Sequence, residues 1–573
     1  MTDPHVDEPL DDEQRAAVTA TEKAIAVLAG PGSGKTRTLS HRARHLLLME
    51  PGSRALLLTF TNKAAAEMKT RALRVGNLAA DRIEAGTFHA FGAWVLRSHG
   101  HLVGIDREFM IIDDDERRAF AAEVAAREAV PDRADLWSTR RLRRHGVSAP
   151  VAAFGDAFEA AKRAEDLVDF DDLVVYTARL LEHNELAAAY GARFGHVLVD
   201  EFQDTNPVHF AIVKALCPHV RTISVFADDD QAIMRFAGAD AENIGRFVDE
   251  LEATEYPLTC NYRSREEIVR RANLLIAAAA RGSRRRMRAN KPRGVVDPRR
   301  YATPDEEARV VGEEIADLVE KRVPPASIAV LARTTWQLDD IVGVLQEFGV
   351  PLTDWRGARQ LPVERRLLST CMSVVRPRLT TAQATKLSQL LGVELDEERD
   401  THAFLEAHAG NPVADELLAL RAQAFNEPRP SAVVAFAQRA IAAHDPALAA
   451  PAQALVEAVE DFERFDPNFT LEHLLVELAL KAGGRAPTEG GGVKIATLHG
   501  TKGLQWPTVY LLGLDEGRLP YYRSVEEGSV EEERRACFVG VCRAEDQLVL
   551  TYAQSSFGRR REPSRFLEEM QLV

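Results

Sequence analysis

The sequence predicts an α/β protein of two parallel-sheet units, each interrupted by a mainly helical insertion. Three observations lead there. An apolar run at residues 24–29 passes straight into a glycine-rich loop and then a helical stretch. Further short apolar runs at 55–60, 197–199 and 222–226 alternate with helical segments, the signature of a parallel α/β sheet. The same kind of run returns late in the chain at 328–332 and 509–512, after a long Ala/Leu/Glu-rich stretch.

Taken in order, residues 11–21 read as a helix, 24–29 as a buried strand, 55–60 as the next strand, and 64–74 as a helix. Residues 106–189, rich in Ala, Arg and Glu, read as helical throughout and form a first insertion. The expected division is therefore 1–105 and 190–257 for the first sheet unit around the 106–189 insertion. The second unit is 258–377 and 490–573, around a compact insertion at 378–489. The glycine-rich stretch 483–492 reads as a linker or hinge.

A chain of 573 residues is too long for one core, so two to four domains are expected. Hydrophobic residues at 46% and charged residues at 28% match a soluble globular chain. No run of about 18 apolar residues offers a membrane span. The acidic first ten residues lack the order of a signal peptide. Cys217, Cys260, Cys371, Cys537 and Cys542 are scattered, with no C-x-x-C pair. That speaks against a disulfide framework or a zinc site and for a reducing, cytoplasmic setting. The formal net charge of −15 argues against a nucleic-acid binder. A local basic track can nevertheless sit on an acidic whole, so composition leaves that question open.

The loop Gly30, Pro31, Gly32, Ser33, Gly34, Lys35, Thr36 fits G-x-x-x-x-G-K-[ST], after a strand and before a helix as that motif requires. Glycines let backbone N–H groups wrap phosphates, and the helix N-terminus adds partial positive charge. Lys35 would reach the β and γ phosphates of ATP, and the Thr36 hydroxyl would ligate Mg²⁺. Asp200 and Glu201 follow an apolar run. The first carboxylate would hold Mg²⁺ and the second would activate the attacking water.

Ten ordered motifs then carry a resemblance. They are LDDEQRAA at 10–17, AGPGSGKTRT at 29–38, LTFTNKAAAEM at 58–68, AGTFHAFG at 85–92 and VDFDDL at 168–173. VDEFQDTN at 199–206, ADDDQAIMRFAGA at 227–239 and LTCNYRS at 258–264 follow. The C-terminal half supplies IATLHGTKGL at 495–504 and EEERRACFVGVCRA at 531–544. Together they resemble the UvrD/Rep/PcrA group of superfamily 1 DNA helicases, and the insertions match only in position. The resemblance implies two RecA-like P-loop NTPase domains and a motor driven by ATP with Mg²⁺. It also implies a track of single-stranded DNA, with single/double-strand junctions as substrate.

The resemblance assigns roles that chemistry can check. Gln14 looks like the adenine reader, since an amide offers one donor and one acceptor edge. Tyr262 would stack on the base, and Arg37 and Gln505 fall at nucleotide-contacting positions. Arg263 and Arg543 look like the arginines that the second domain offers to the γ-phosphate, where charge spreads in the transition state. Gln231 would sense the γ-phosphate and the attacking water.

DNA contact is expected from aromatic faces and polar groups, because stacking tolerates any base. The resemblance points to Phe60, Thr87, His89, Phe170, Phe236 and His499. Taken singly, each aromatic is as readily a core residue. Basic clusters at 140–144 and 281–293 fit either a DNA-facing patch or a solvated face. Departures from the family are Met234, Phe236, Ala237, Gln505 and Cys542. The family implies a 3′-to-5′ helicase or translocase in repair, recombination or replication restart, monomeric in isolation, with repair or recombination proteins as partners. Its expected location is cytoplasmic and nucleoid-associated. A DNA-stimulated ATPase that strips proteins, or acts as a subunit without robust unwinding, is the alternative. A helicase–nuclease subunit is disfavoured by the short stretch after Arg543.

Overall fold

A computed structural model describes all residues except 1–8, 77–79, 108, 136, 139–147, 235–237, 241, 280–285, 354–372, 376–377, 380, 395–399, 427–428, 447–455, 457–458, 461–490 and 557–558. Two six-stranded sheets organise it, and every strand pairing within each is parallel. The first runs, edge to edge, Ile83–Thr87, Ala55–Thr59, His196–Val199, Thr222–Ala227, Ala24–Ala29, Thr254–Leu258. The second runs Val295–Tyr301, Ala544–Ala553, Trp506–Leu511, Ile328–Ala332, Val493–Thr497, Leu352–Thr353.

Central strands are continuous apolar runs because both of their faces are covered by helices. In the first sheet Ala26, Leu28, Leu56, Leu58, Val197 and Val199 face one core. Ile25, Val27, Leu57 and Leu198 alternate onto the other. In the second sheet Ala329, Leu331, Val509 and Leu511 face one side, and Ile328, Val330 and Tyr510 the other. At about 25 cal/mol per Å², the fully buried strand side chains are the main driving force for each unit.

The stretch 106–189 is not helical throughout. Met110–Ile111 pairs in parallel with Leu167–Val168, and this short ribbon closes a separate core of Phe120, Val124, Phe154 and Phe158. The helices Phe170–Leu181 and Asn184–Phe194 pack instead into the core of the first sheet, through Leu173, Val174, Tyr190 and Phe194. Their sequence reads helical either way, and only tertiary burial assigns them to a side. The second insertion has its own core, built from the helices Thr381–Leu391, Thr401–Ala407, Pro412–Asn426 and Pro430–His444. The linker stretch 483–492 lies outside the described residues except for its last two positions.

Cys217, Cys260, Cys537 and Cys542 are free thiols, and Cys371 lies outside the described residues. Among the described residues, no helix is long and apolar enough to cross a membrane.

Candidate functional site

The phosphate loop leaves the C-terminal end of the strand Ala24–Ala29 and enters the helix Lys35–Met49. Gly32 at φ 70° and Gly34 at φ 78° are in the left-handed region that glycine tolerates best. A Cβ on Gly32 would come within 2.6 Å of Arg263 Cβ, so the loop must pass bare backbone beneath the second unit. Ser33 Oγ donates to Gly30 O at 2.7 Å, and Thr38 N donates to Gly34 O at 2.8 Å. Thr36 and Arg37 occupy the first turn of the helix.

Lys35 Nζ lies 2.6 Å from Glu201 Oε1 and 3.8 Å from Asp200 Oδ1. Burial works against all three charges. For Lys35 the two carboxylates outweigh it and hold the ammonium above the usual lysine range. Burial raises Asp200, with Lys35 opposing, while Lys35 and Lys502 together hold Glu201 below the usual carboxylate range. Glu201 also takes φ 51°, a backbone region that costs a non-glycine residue of order 1–3 kcal/mol. The strand end therefore aims its carboxylate at Lys35 under strain. Thr36 and Asp200 supply the hard oxygen donors that Mg²⁺ takes, and Asp228, Asp229 and Asp230 bring three more carboxylates within 4.8 Å of one another.

A chain of polar contacts, one of them through the Asp228 backbone N–H, leads from Lys35 to the second unit. Gln203, fully buried, donates to Glu201 Oε2 and accepts from Asp228 N at 2.9 Å. Asp228 Oδ2 accepts from Gln231 Nε2. Gln231 Oε1 in turn accepts from Arg543 Nη2 at 2.6 Å. Arg543 is 1% exposed and also donates to Val539 O at 2.9 Å and Leu504 O at 3.1 Å. Burial first, then the neighbouring Arg263, hold it below the usual arginine range. Arg263 Nη1 donates to Cys542 O at 3.2 Å, and its Nε is buried without a hydrogen-bond partner. Lys502 closes the same cleft: it pairs with Asp204, lies 3.8 Å from Glu201 Oε2, and donates to Gln231 O at 3.4 Å.

Gln14 sits at the third position of the helix Asp12–Thr19, capped by Asp11. It is 1% exposed and its Nε2 donates to Ser33 O at 3.0 Å, so it braces the phosphate loop directly. Tyr262 N donates to Gly32 O at 2.8 Å, and its hydroxyl donates to Asp11. Asn261 adds a third tie, donating from Nδ2 to Pro31 O at 2.7 Å. Gln505 is exposed.

Four of the residues expected to contact DNA, Phe60, Thr87, His89 and Phe170, form a second group on the first unit. His89 meets Phe170 edge-on at 5.9 Å, and Phe60 meets Phe88 at 5.8 Å. His209 lies beneath them, 5.5 Å from Phe60 and 6.0 Å from His89. Thr87 is buried and caps the helix Phe88–His99, accepting from Ala90 N at 3.0 Å. His499 is half-buried in the turn Leu498–Thr501. Phe236, Ala237 and the basic cluster at 140–144 lie outside the described residues, as do 281–285 of the second cluster. Of the rest of that cluster, Arg286, Arg288 and Arg293 are exposed, Arg288 pairing with Glu13 at 3.1 Å, while half-buried Lys291 donates to Arg263 O.

Sequence reasoning missed Gln203, Asn261, Lys502 and His209. All four lie in or beside the quoted motifs, but a buried polar residue there gives no signal until its partner is known.

Residues 10–252 match the family model of the UvrD/REP helicase N-terminal domain, and residues 436–555 match that of the UvrD-like helicase C-terminal domain. The chain is 32% identical to the ATP-dependent DNA helicase UvrD2 of Mycobacterium tuberculosis, over 97% of this chain and 81% of that protein. It is 29% identical to DNA helicase II of Escherichia coli, covering 98% and 87% respectively. With the ATP-dependent DNA helicase PcrA of Staphylococcus epidermidis the figures are 28%, 98% and 86%. The paired parallel sheets, the phosphate loop on the first of them and these near full-length matches agree: the chain belongs to the UvrD/Rep helicase family.

Proposed function

We propose that this chain is an ATP-driven motor that translocates 3′ to 5′ on single-stranded DNA and unwinds duplexes at junctions, in repair, recombination or replication restart. One observation carries the proposal most: the run of polar contacts from Lys35 through Glu201, Gln203, the backbone and side chain of Asp228, and Gln231 to Arg543. A change in phosphate occupancy at Lys35 is thereby felt at an arginine of the other sheet unit.

Each residue then has a task. Lys35 leaves Glu201 to neutralise the β and γ phosphates, while the Gly30–Gly34 backbone cradles them. Freed from that ion pair, Glu201 orients the attacking water and accepts its proton. Thr36 and Asp200 would hold Mg²⁺, which supplies charge neutralisation on the phosphate oxygens. Arg263 and Arg543 turn to the γ-phosphate as charge develops, and Gln231 reports its loss. Gln14 and Tyr262 meet the base, with Arg37 and Gln505 beside the nucleotide. Phe60, His89, Phe170, Thr87, Phe236 and His499 line the DNA path. The protein works as a monomer in isolation, cytoplasmic and nucleoid-associated, with repair or recombination proteins as partners.

The test is ATP hydrolysis with and without single-stranded DNA, run beside strand displacement on duplexes with a 3′ or a 5′ tail. DNA-stimulated hydrolysis with displacement of the 3′-tailed duplex alone is the expected result. Stimulation without displacement overturns the unwinding activity and leaves a translocase or an accessory subunit.

A further inference from the structure

Asp11 bonds both the helix that follows it and Tyr262, which is 251 residues further along the chain. One carboxylate oxygen, Oδ1, accepts from Gln14 N at 2.7 Å and caps the helix Asp12–Thr19. The other, Oδ2, accepts the Tyr262 hydroxyl. Asp11 N also donates to Gln14 Oε1 at 3.3 Å, closing a capping box. Tyr262 is thus held at both ends, by Gly32 O at its backbone and by Asp11 at its phenol. These two ties set the direction of the ring's long axis, which a free χ1 would leave open. Glu13, two residues along, reinforces the junction by accepting from Thr259 N at 2.6 Å and Thr259 Oγ1 at 2.7 Å.

We infer that Asp11 is a positioning residue for nucleobase selectivity, because one residue holds the Gln14 amide through its main-chain N–H and the Tyr262 phenol through its carboxylate. The inference rests on the proposal that those two side chains meet the base. Asp11 itself touches no substrate. It sets where a hydrogen-bonding edge from the first unit and a stacking face from the second stand relative to each other. Both faces of the recognition are then present only when the segment 259–263 is docked on the phosphate loop. Burial, and then the Asp11 carboxylate, hold the Tyr262 phenol above the usual tyrosine range, so it remains a donor across the working pH.

The two functions of the carboxylate separate cleanly by substitution. Asp11→Ser keeps an N-cap acceptor for Gln14 N but is too short to reach the Tyr262 hydroxyl. Tyr262→Phe removes the same bond from the other side and keeps the ring. The full chain is assayed for DNA-stimulated hydrolysis of ATP and GTP, and the ratio of kcat/KM values is read. Each substitution is expected to lower the ATP-to-GTP ratio about three- to tenfold, the size of one ordinary hydrogen bond. The double variant should match either single, because both remove one interaction. Asp11→Asn, which keeps a polar partner for the hydroxyl, should recover part of the ratio.

Gln14→Ala serves as the separate check on base recognition. If it lowers the ratio while Asp11→Ser leaves it unchanged, the positioning role is wrong. An equal loss for ATP and GTP in Asp11→Ser would reduce Asp11 to a helix cap and likewise overturn the inference. If Gln14→Ala leaves the ratio unchanged, the base-recognition proposal falls and the inference with it. Circular dichroism melting of each variant identifies any that fail to fold, and Tyr262→Phe then carries the test for Asp11→Ser.

Discussion

Arg543 Nη2 donates to Gln231 Oε1 at 2.6 Å, and this bond joins the helix Val530–Val541 end of the second unit to the 3₁₀ turn Asp229–Gln231 of the first. The arginine is buried, pressed by Arg263, and held by carbonyls of its own unit on its other nitrogens. Its contact with Gln231 is therefore the part that a nucleotide can rearrange without unfolding the second unit.

Arg543→Ala should keep ATP affinity within about tenfold while lowering kcat by roughly 10³, the scale of a missing arginine finger. Gln231→Ala should act through the same link. The double variant should then lose much less than the product of the two single losses. Stopped-flow phosphate release under saturating DNA measures both. Independent, multiplicative losses would separate Gln231 from Arg543.

At the other end of the bonded chain, Lys35→Ala should bring hydrolysis to background while single-stranded DNA binding persists in fluorescence anisotropy. The physical reason is specific. Lys35 balances Glu201 at 2.6 Å and Asp200 at 3.8 Å, so its removal leaves carboxylates that repel the incoming phosphates. Measurable turnover in that variant would remove the loop from the active site.

Much of this was legible in the sequence, and the exceptions share a cause. The central strands stand out because burial on both faces makes them continuous apolar runs, as at Ala24–Ala29 and Ile328–Ala332. The edge strands Thr254–Leu258 and Val295–Tyr301 do not, since each contains a proline and shows one side to solvent. The phosphate loop and Asp200–Glu201 are read from spacing alone. Gln203 and Lys502 are not, because their meaning lies in partners: Gln203 bridges to Asp228, and Lys502 reaches Asp204 from 298 residues away. Tyr262 is read as a ring, yet its hydroxyl carries an equal share of the geometry.

Lys162 offers a stability test away from the nucleotide. It is 1% exposed, with Asp172 at 2.6 Å, Asp169 at 2.7 Å and Glu159 at 3.1 Å. Asp169 caps the helix that begins with Phe170, so the ion cluster ties the first insertion to the group of Phe170, His89 and Phe60. Lys162→Met should destabilise the first unit by about 3–5 kcal/mol, because it strands buried carboxylates. Adding Asp172→Asn should recover part of that loss. Urea unfolding followed by tryptophan fluorescence reads both, and a neutral Lys162→Met would show the cluster to be solvated.

The buried histidines His89 and His209 predict how stability responds to acid. Burial lowers His89 to about 4 and holds His209 well below its ordinary range. His209 Nδ1 accepts from Asn206 N at 3.3 Å, which needs the neutral ring. In the unfolded chain both titrate near 6.5. Above that pH both states are neutral and the histidines do not affect stability. As pH falls from about 6.5 toward 4, the unfolded state takes up protons that the folded state refuses, so stability is lost. The melting temperature should therefore fall between pH 7.5 and pH 5.5, before most carboxylates titrate. His209→Gln should flatten that slope, since an amide can accept from Asn206 N without a proton to gain. A melting temperature that holds or rises over this range would mean that the histidines are charged within the fold, and that the cluster with Phe60 and Phe170 is cationic rather than a neutral aromatic surface.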